Sequence, residues 1–116
     1  MEGNIRVLLV DDHDMVRMGL KTYLMLEPKF EVIGEARNGQ EALDMLRVGL
    51  PEGPPDLILM DLMMPVMNGA ETTKAVLKEH PLMKIVILTS FLEDNLVVDA
   101  IEAGAISYVL KTVSAE

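Results

Sequence analysis

Four short apolar runs end in polar groups suited to handling phosphate: Leu8-Leu9-Val10 in Asp11-Asp12, Leu57 to Met60 in Asp61, Ile85 to Leu88 in Thr89, and Tyr108-Val109-Leu110 in Lys111. If these runs are neighbouring parallel strands, their carboxyl ends share one edge of the sheet, where open α/β sheets place their ligand crevice. Three carboxylates, a hydroxyl and an ammonium then converge. Acids packed this closely repel one another or recruit a hard cation. With oxygen ligands alone, magnesium is the natural choice, held by one or two carboxylates together with phosphate oxygens. Asp61 directly follows its strand and is the candidate nucleophile, able to form an acyl phosphate. Lys111 and Thr89 would hold the phosphoryl oxygens and supply the electrostatic stabilisation that phosphoryl transfer needs.

The elements that must position these groups are legible as alternating strand and helix. Arg6 to Val10 is nearly all branched or apolar, as expected of a strand covered on both faces. Asp14 to about Leu26 follows as a helix with Val16, Leu20, Tyr23 and Leu24 as its core stripe and Asp14 as its cap; Pro28 closes it. Phe30 to Ala36 reads as the second strand, Asn38-Gly39 as a turn, and Gln40 to Val48 as the second helix with Ala42, Leu43 and Leu46 inward. Gly49 to Pro55 is a plain loop because its glycines and prolines forbid regular structure. Asp56 to Met60 is the third strand, Ala70 to Glu79 the third helix, Lys84 to Leu88 the fourth strand, Glu93 to Ala103 the fourth helix, and Ser107 to Leu110 the fifth strand. Helical connections between strands imply a parallel sheet. Only Thr112 to Glu116 remain for a fifth helix, so a truncated helix is expected, with an apolar face left exposed or covered by a neighbouring chain.

A chain of 116 residues, half of them hydrophobic, suits one domain with a single core. The absence of cysteine excludes disulfides and thiolate metal sites. No apolar stretch approaches the ~20 residues that span a bilayer, and Met1-Glu2-Gly3-Asn4 lacks the basic and apolar regions of a signal peptide; a cytoplasmic protein without membrane contact is the expectation. A formal charge of −9 repels a phosphate backbone.

Asp11-Asp12, Asp61-Leu62-Met63-Met64-Pro65 with Asn68-Gly69, Thr89-Ser90 and Tyr108-Val109-Leu110-Lys111 together resemble the receiver domain of bacterial two-component response regulators. The likeness covers essentially the whole chain, 1–116. Val10 to Arg17, Leu88 to Phe91 and Leu110 to Thr112 look like the NarL/FixJ class, and within it the regulators of cell-envelope stress. The resemblance implies a flavodoxin-like, doubly wound, five-stranded parallel sheet of order 2-1-3-4-5. It implies Asp61 as phosphoacceptor, and Asp12 as a direct Mg2+ ligand. Asp11 would hold the ion through water, and Met63 through its backbone carbonyl. It further implies Lys111 as the phosphoryl-binding lysine, with Thr89 and Tyr108 as a coupled switch. Met63 and Phe91, two beyond Asp61 and Thr89, occupy positions that tune phosphoryl lifetime in the family. Thr112 follows Lys111 where many receivers carry proline.

The implied partners are a sensor histidine kinase, a second copy of the chain after phosphorylation, and DNA only through a carboxy-terminal helix-turn-helix domain outside this sequence. Met15, Met18 and Thr22 lie off the core stripe of the first helix and form a candidate kinase-docking patch, although methionines are usually core filler. Two other classes stay open at this level. Asp12-His13-Asp14 formally offers the acid pair of a haloacid-dehalogenase-like phosphatase, but no acid pair follows Lys111. A flavodoxin-like carrier would have to seat a flavin phosphate on an acidic first loop. An interaction module with an idle acid cluster is the third possibility. His13 and His80 read as surface residues.

Overall fold

The computed structural model describes residues 4–89 and 95–110. The chain alternates β1 (Ile5–Val10), α1 (Asp14–Met25), β2 (Phe30–Ala36), α2 (Gly39–Val48), β3 (Leu57–Asp61), α3 (Gly69–Glu79), β4 (Lys84–Thr89), α4 (Asn95–Ala103) and β5 (Ser107–Leu110). The strands form one parallel sheet in the order β2-β1-β3-β4-β5. Its register decides the function. Val10 lies beside Met60, Asp61 beside Leu88 and Thr89 beside Leu110, so these strands finish at one edge.

The strands can be buried on both sides because their alternate residues serve two cores. Leu8, Val10, Ile58, Met60, Ile85 and Ile87 face the larger one, which α2 closes with Ala42, Leu43 and Leu46, α3 with Val76, and α4 with Val97 and Ala100. Burying each such Leu, Ile or Met stabilises the fold by about 1.5–3 kcal/mol. Val7 and Leu9 face the smaller core with Leu24 of α1. Leu20, Leu57 and Leu59 are only half-buried there, and Val109 is exposed. Among the described residues an apolar face is therefore left uncovered beside α1. The expected fifth helix, residues 112–116, lies outside the described residues.

One expectation about the core needs correction. Tyr23, expected on the core stripe of α1, is 72 % exposed, because only Leu24 of that helix is fully buried and the smaller core ends before Tyr23. The loop from Gly49 to Pro55 is irregular, as expected, and it is anchored. Arg6 donates from its guanidinium to the carbonyls of Pro51, Gly53 and Pro54. Its backbone N–H and carbonyl also bond Asp56 on entry to β3. Among the described residues no helix is long and apolar enough to cross a membrane.

Candidate functional site

Asp11 leaves β1 fully buried, and its N–H donates to the Ala36 carbonyl at the end of β2 (3.0 Å). Asp61 is the last residue of β3 and is also buried. With Asp12, half-exposed on the loop, they bring three carboxylates together at the carboxyl edge. Ligand atoms from Asp11, Asp12, Asp61 and His13 all lie within 4.8 Å of one another. The donor set among the acids is all oxygen, which fits a hard divalent cation.

His13 is the residue that sequence reasoning missed. Its side chain is 60 % exposed, as expected of a surface residue, yet Nδ1 lies 3.1 Å from Asp11 Oδ1, 3.1 Å from Asp12 Oδ1 and 3.9 Å from Asp61 Oδ2. The Asp-Asp-His run was the available signal, because a residue between two cluster acids and a helix start has little room to point elsewhere. His13, rather than Asp14, is also the N-cap of α1, and its side chain makes no capping bond. Asp14 sits in the first turn, where a carboxylate interacts favourably with the helix dipole.

A cationic bracket outside the cluster holds the loop. Arg17 donates to the Asp11 carbonyl (2.7 Å), to Asp14 Oδ1 (2.7 Å) and to Glu35 Oε1 (3.0 Å), while Lys21 Nζ donates to Glu35 Oε2 (2.7 Å). The lysine hydrogen bond, with Arg17 beside it, holds the Glu35 carboxyl below its ordinary value. A carboxylate depressed in the folded state stabilises the fold above its unfolded pKa of about 4.3, and the contribution is lost as pH falls through the folded value. Glu35→Gln is therefore expected to cost about 0.5–1 kcal/mol at neutral pH, and wild type and variant should converge in acid. Urea unfolding at the two pH values measures this; a constant gap would assign the cost to packing.

The segment between β3 and α3 turns tightly over Asp61. Gly69 N donates to the Leu62 carbonyl (2.8 Å), and a Cβ on Gly69 would lie 2.7 Å from the Asp61 carbonyl oxygen. Asn68 and Glu71 form a reciprocal capping box that starts α3 there. Val66 has φ +73°, and Met67 N donates across it to the Pro65 carbonyl (2.7 Å), a γ-turn of the strained hand. Its side chain is exposed, so little packing opposes relief of the strain. Val66→Gly should raise stability by about 1 kcal/mol net of the entropy glycine adds to the unfolded chain. A lower denaturation midpoint would show that the valine side chain is needed there.

Other predicted positions are placed as follows. The Met63 side chain is half-exposed beside the site. Thr89 closes β4 and Tyr108 pairs with Ile87 in β5, placing their backbones by register. Lys111 and Phe91 lie outside the described residues. Met15 and Met18 are 78 % and 60 % exposed, and the Thr22 hydroxyl donates to the Met18 carbonyl (2.9 Å).

A five-stranded parallel sheet with an acid cluster beyond the ends of β1 and β3 defines a class of phosphate-handling α/β switch domains. Residues 7–116 match the response regulator receiver domain family, and the chain belongs to that family. It is 53 % identical over 108 residues to the transcriptional regulatory protein LiaR of Bacillus subtilis strain 168, covering 93 % of this chain and 49 % of that protein. It is 48 % identical over 112 residues to the response regulator protein VraR of Staphylococcus aureus strain Mu3, covering 97 % of this chain and 52 % of that one. The chain thus spans about half the length of these relatives. A two-component response regulator of the LuxR family from Aurantimonas sp. SI85-9A1 superposes with a TM-score of 0.85 at 34 % identity, over 94 % of this chain and 75 % of that chain. The signal receiver domain of the response regulator NarL from Mycobacterium tuberculosis superposes at 0.82 with 31 % identity, over 93 % and 84 %. Family membership displaces the phosphatase and flavin-carrier readings.

Proposed function

We propose that this receiver is the phosphorylation switch of a transcriptional regulator, a signalling module rather than a classical enzyme, that takes its phosphoryl group from a sensor histidine kinase. The observation that carries this is the convergence of Asp11, Asp12 and Asp61 at the ends of two adjacent parallel strands. A carboxylate oxygen of Asp61 attacks phosphorus, the P–N bond to the kinase histidine breaks, and its electron pair returns to the imidazole. Asp12, Asp61 and the Met63 carbonyl would hold Mg2+ directly and Asp11 through water. The ion supplies neutralisation of charge on the transferring oxygens. Lys111 and Thr89 bind those oxygens. Movement of Thr89 toward the phosphoryl group lets Tyr108 turn inward, and the two arrangements of this region are the switch. Met63 and Phe91 shield the acyl phosphate from water and lengthen its life.

Phosphorylation then favours a homodimer. A net charge of −9 makes this domain a poor DNA ligand, so DNA contact belongs to a carboxy-terminal helix-turn-helix domain. The exposed Met15 and Met18, with Thr22, form the kinase-docking patch. Met15→Lys should slow transfer from the phosphorylated kinase about tenfold, on the order of 1.4 kcal/mol, and leave acetyl phosphate as efficient a donor. Equal loss with both donors would place the damage in the fold.

The reading is tested by intact mass after incubation with acetyl phosphate, with and without Mg2+. The expected result is one phosphoryl group added per chain, only with the ion. No adduct on protein shown to be folded by circular dichroism would overturn it and favour an interaction module.

A further inference from the structure

We propose that His13 is an additional ligand to the divalent cation, which gives this site a preference for borderline transition ions over Mg2+. The inference rests on reading the acid cluster as a cation site. For atoms about 2.1 Å from a shared ion, adjacent ligands of an octahedron are about 3.0 Å apart. His13 Nδ1 lies 3.1 Å from Asp12 Oδ1, the acid that would hold the ion directly, which is the spacing of neighbouring octahedral positions, and 3.1 Å from Asp11 Oδ1, the acid that would hold it through water. Asp61 Oδ2, 3.9 Å away, needs only a small approach to join them.

The ring is also held in place. His13 N donates to Asp11 Oδ1 (2.8 Å), so the backbone that carries the imidazole is fixed to one of the acids. Pre-organisation of this kind lowers the ordering cost of recruiting another ligand. The nitrogen that donates toward the carboxylates in one tautomer presents a lone pair in the other. Imidazole suits Ni2+ and Zn2+, whereas the preferred ligands of Mg2+ are oxygens. An all-oxygen cluster would favour these ions over Mg2+ less strongly.

Calorimetric titration of the receiver with Mg2+ and with Ni2+, for wild type, His13→Asn and His80→Asn, tests this. Asparagine is a favourable N-cap, so the first variant keeps the start of α1. His80, the other histidine, caps the far end of α3 and serves as the control. Losing a partner that merely orients a ligand costs about 10–100-fold in affinity, so losing His13 should weaken Ni2+ at least about tenfold. Mg2+ affinity should be nearly unchanged, and His80→Asn should change neither. Ni2+ affinity that survives His13→Asn, with Mg2+ still bound, would overturn the ligand role and leave the receiver reading intact; imidazole would then be only a hydrogen-bond partner of the acids. A wild type that binds neither ion would overturn both. A shift of the Ni2+ d–d absorption to higher energy on binding wild type, absent on binding His13→Asn, supplies a second readout.

Discussion

Asp61→Asn is expected to remove the phosphoryl adduct entirely, with acetyl phosphate and in transfer from a kinase, while the protein keeps its far-UV circular dichroism. The substitution is nearly isosteric at a position 3 % exposed, so the β3 terminus and its pairing with Leu88 have no steric reason to move. What changes is chemistry. A neutral amide is a poor nucleophile toward phosphorus and cannot contribute a negative oxygen to a cation, so Mg2+ affinity should fall together with acyl-phosphate formation. Asp56→Asn is the matched control. Asp56 lies where β3 begins, at the opposite edge of the sheet, and accepts a hydrogen bond from Arg6 N (2.9 Å), which an asparagine oxygen can also do. Its adduct should match wild type. Adduct persisting in Asp61→Asn would move the phosphoacceptor to another acid of the cluster, with Asp12, the more accessible, the first to test.

The position of Asp61 was legible because it depends on chain-local signals. Apolar runs bounded by acids, glycines and prolines marked β1 and β3, and parallel order then brought their ends together. The start of α3 was likewise legible to within a residue, read at Ala70 and found at Gly69. What could not be read depends on separate segments meeting. The Arg17 bracket joins α1 to Glu35 of β2 and to the Asp11 carbonyl, and Arg6 anchors a loop more than forty residues away. Long cations look the same in sequence whether they are solvated or engaged. Tyr23 failed for a related reason. Helical periodicity identifies the side of α1 that faces the sheet, but how far the apolar surface beneath it extends depends on which elements cover that face. His13 was within reach of local reasoning, since both acids before it bend inward, but its exposure suited the surface reading equally well.

Two identical substitutions should act with opposite sign. Gly69→Ala places a methyl group 2.7 Å from the Asp61 carbonyl oxygen and 2.9 Å from Leu62 Cα. Both are backbone atoms at the strand end that carries the proposed phosphoacceptor, so no side-chain rotation relieves the overlap. The β3–α3 segment must shift, and overpacking of this kind costs about 1–3 kcal/mol. The same shift displaces Asp61 relative to Asp11 and Asp12, so adduct formation should slow even under conditions where the variant is fully folded. Gly19 lies exposed in the middle of α1, and a methyl group added there would meet nothing within 4 Å. There alanine gains helix propensity and restricts the unfolded chain, stabilising by about 0.5–1 kcal/mol. Urea unfolding with parallel adduct kinetics separates the two effects. If Gly69→Ala loses stability but phosphorylates at the wild-type rate, the close approach is a packing constraint alone. If both stability and rate fall while Gly19→Ala gains stability at an unchanged rate, the glycine holds Asp61 in register with the other two acids.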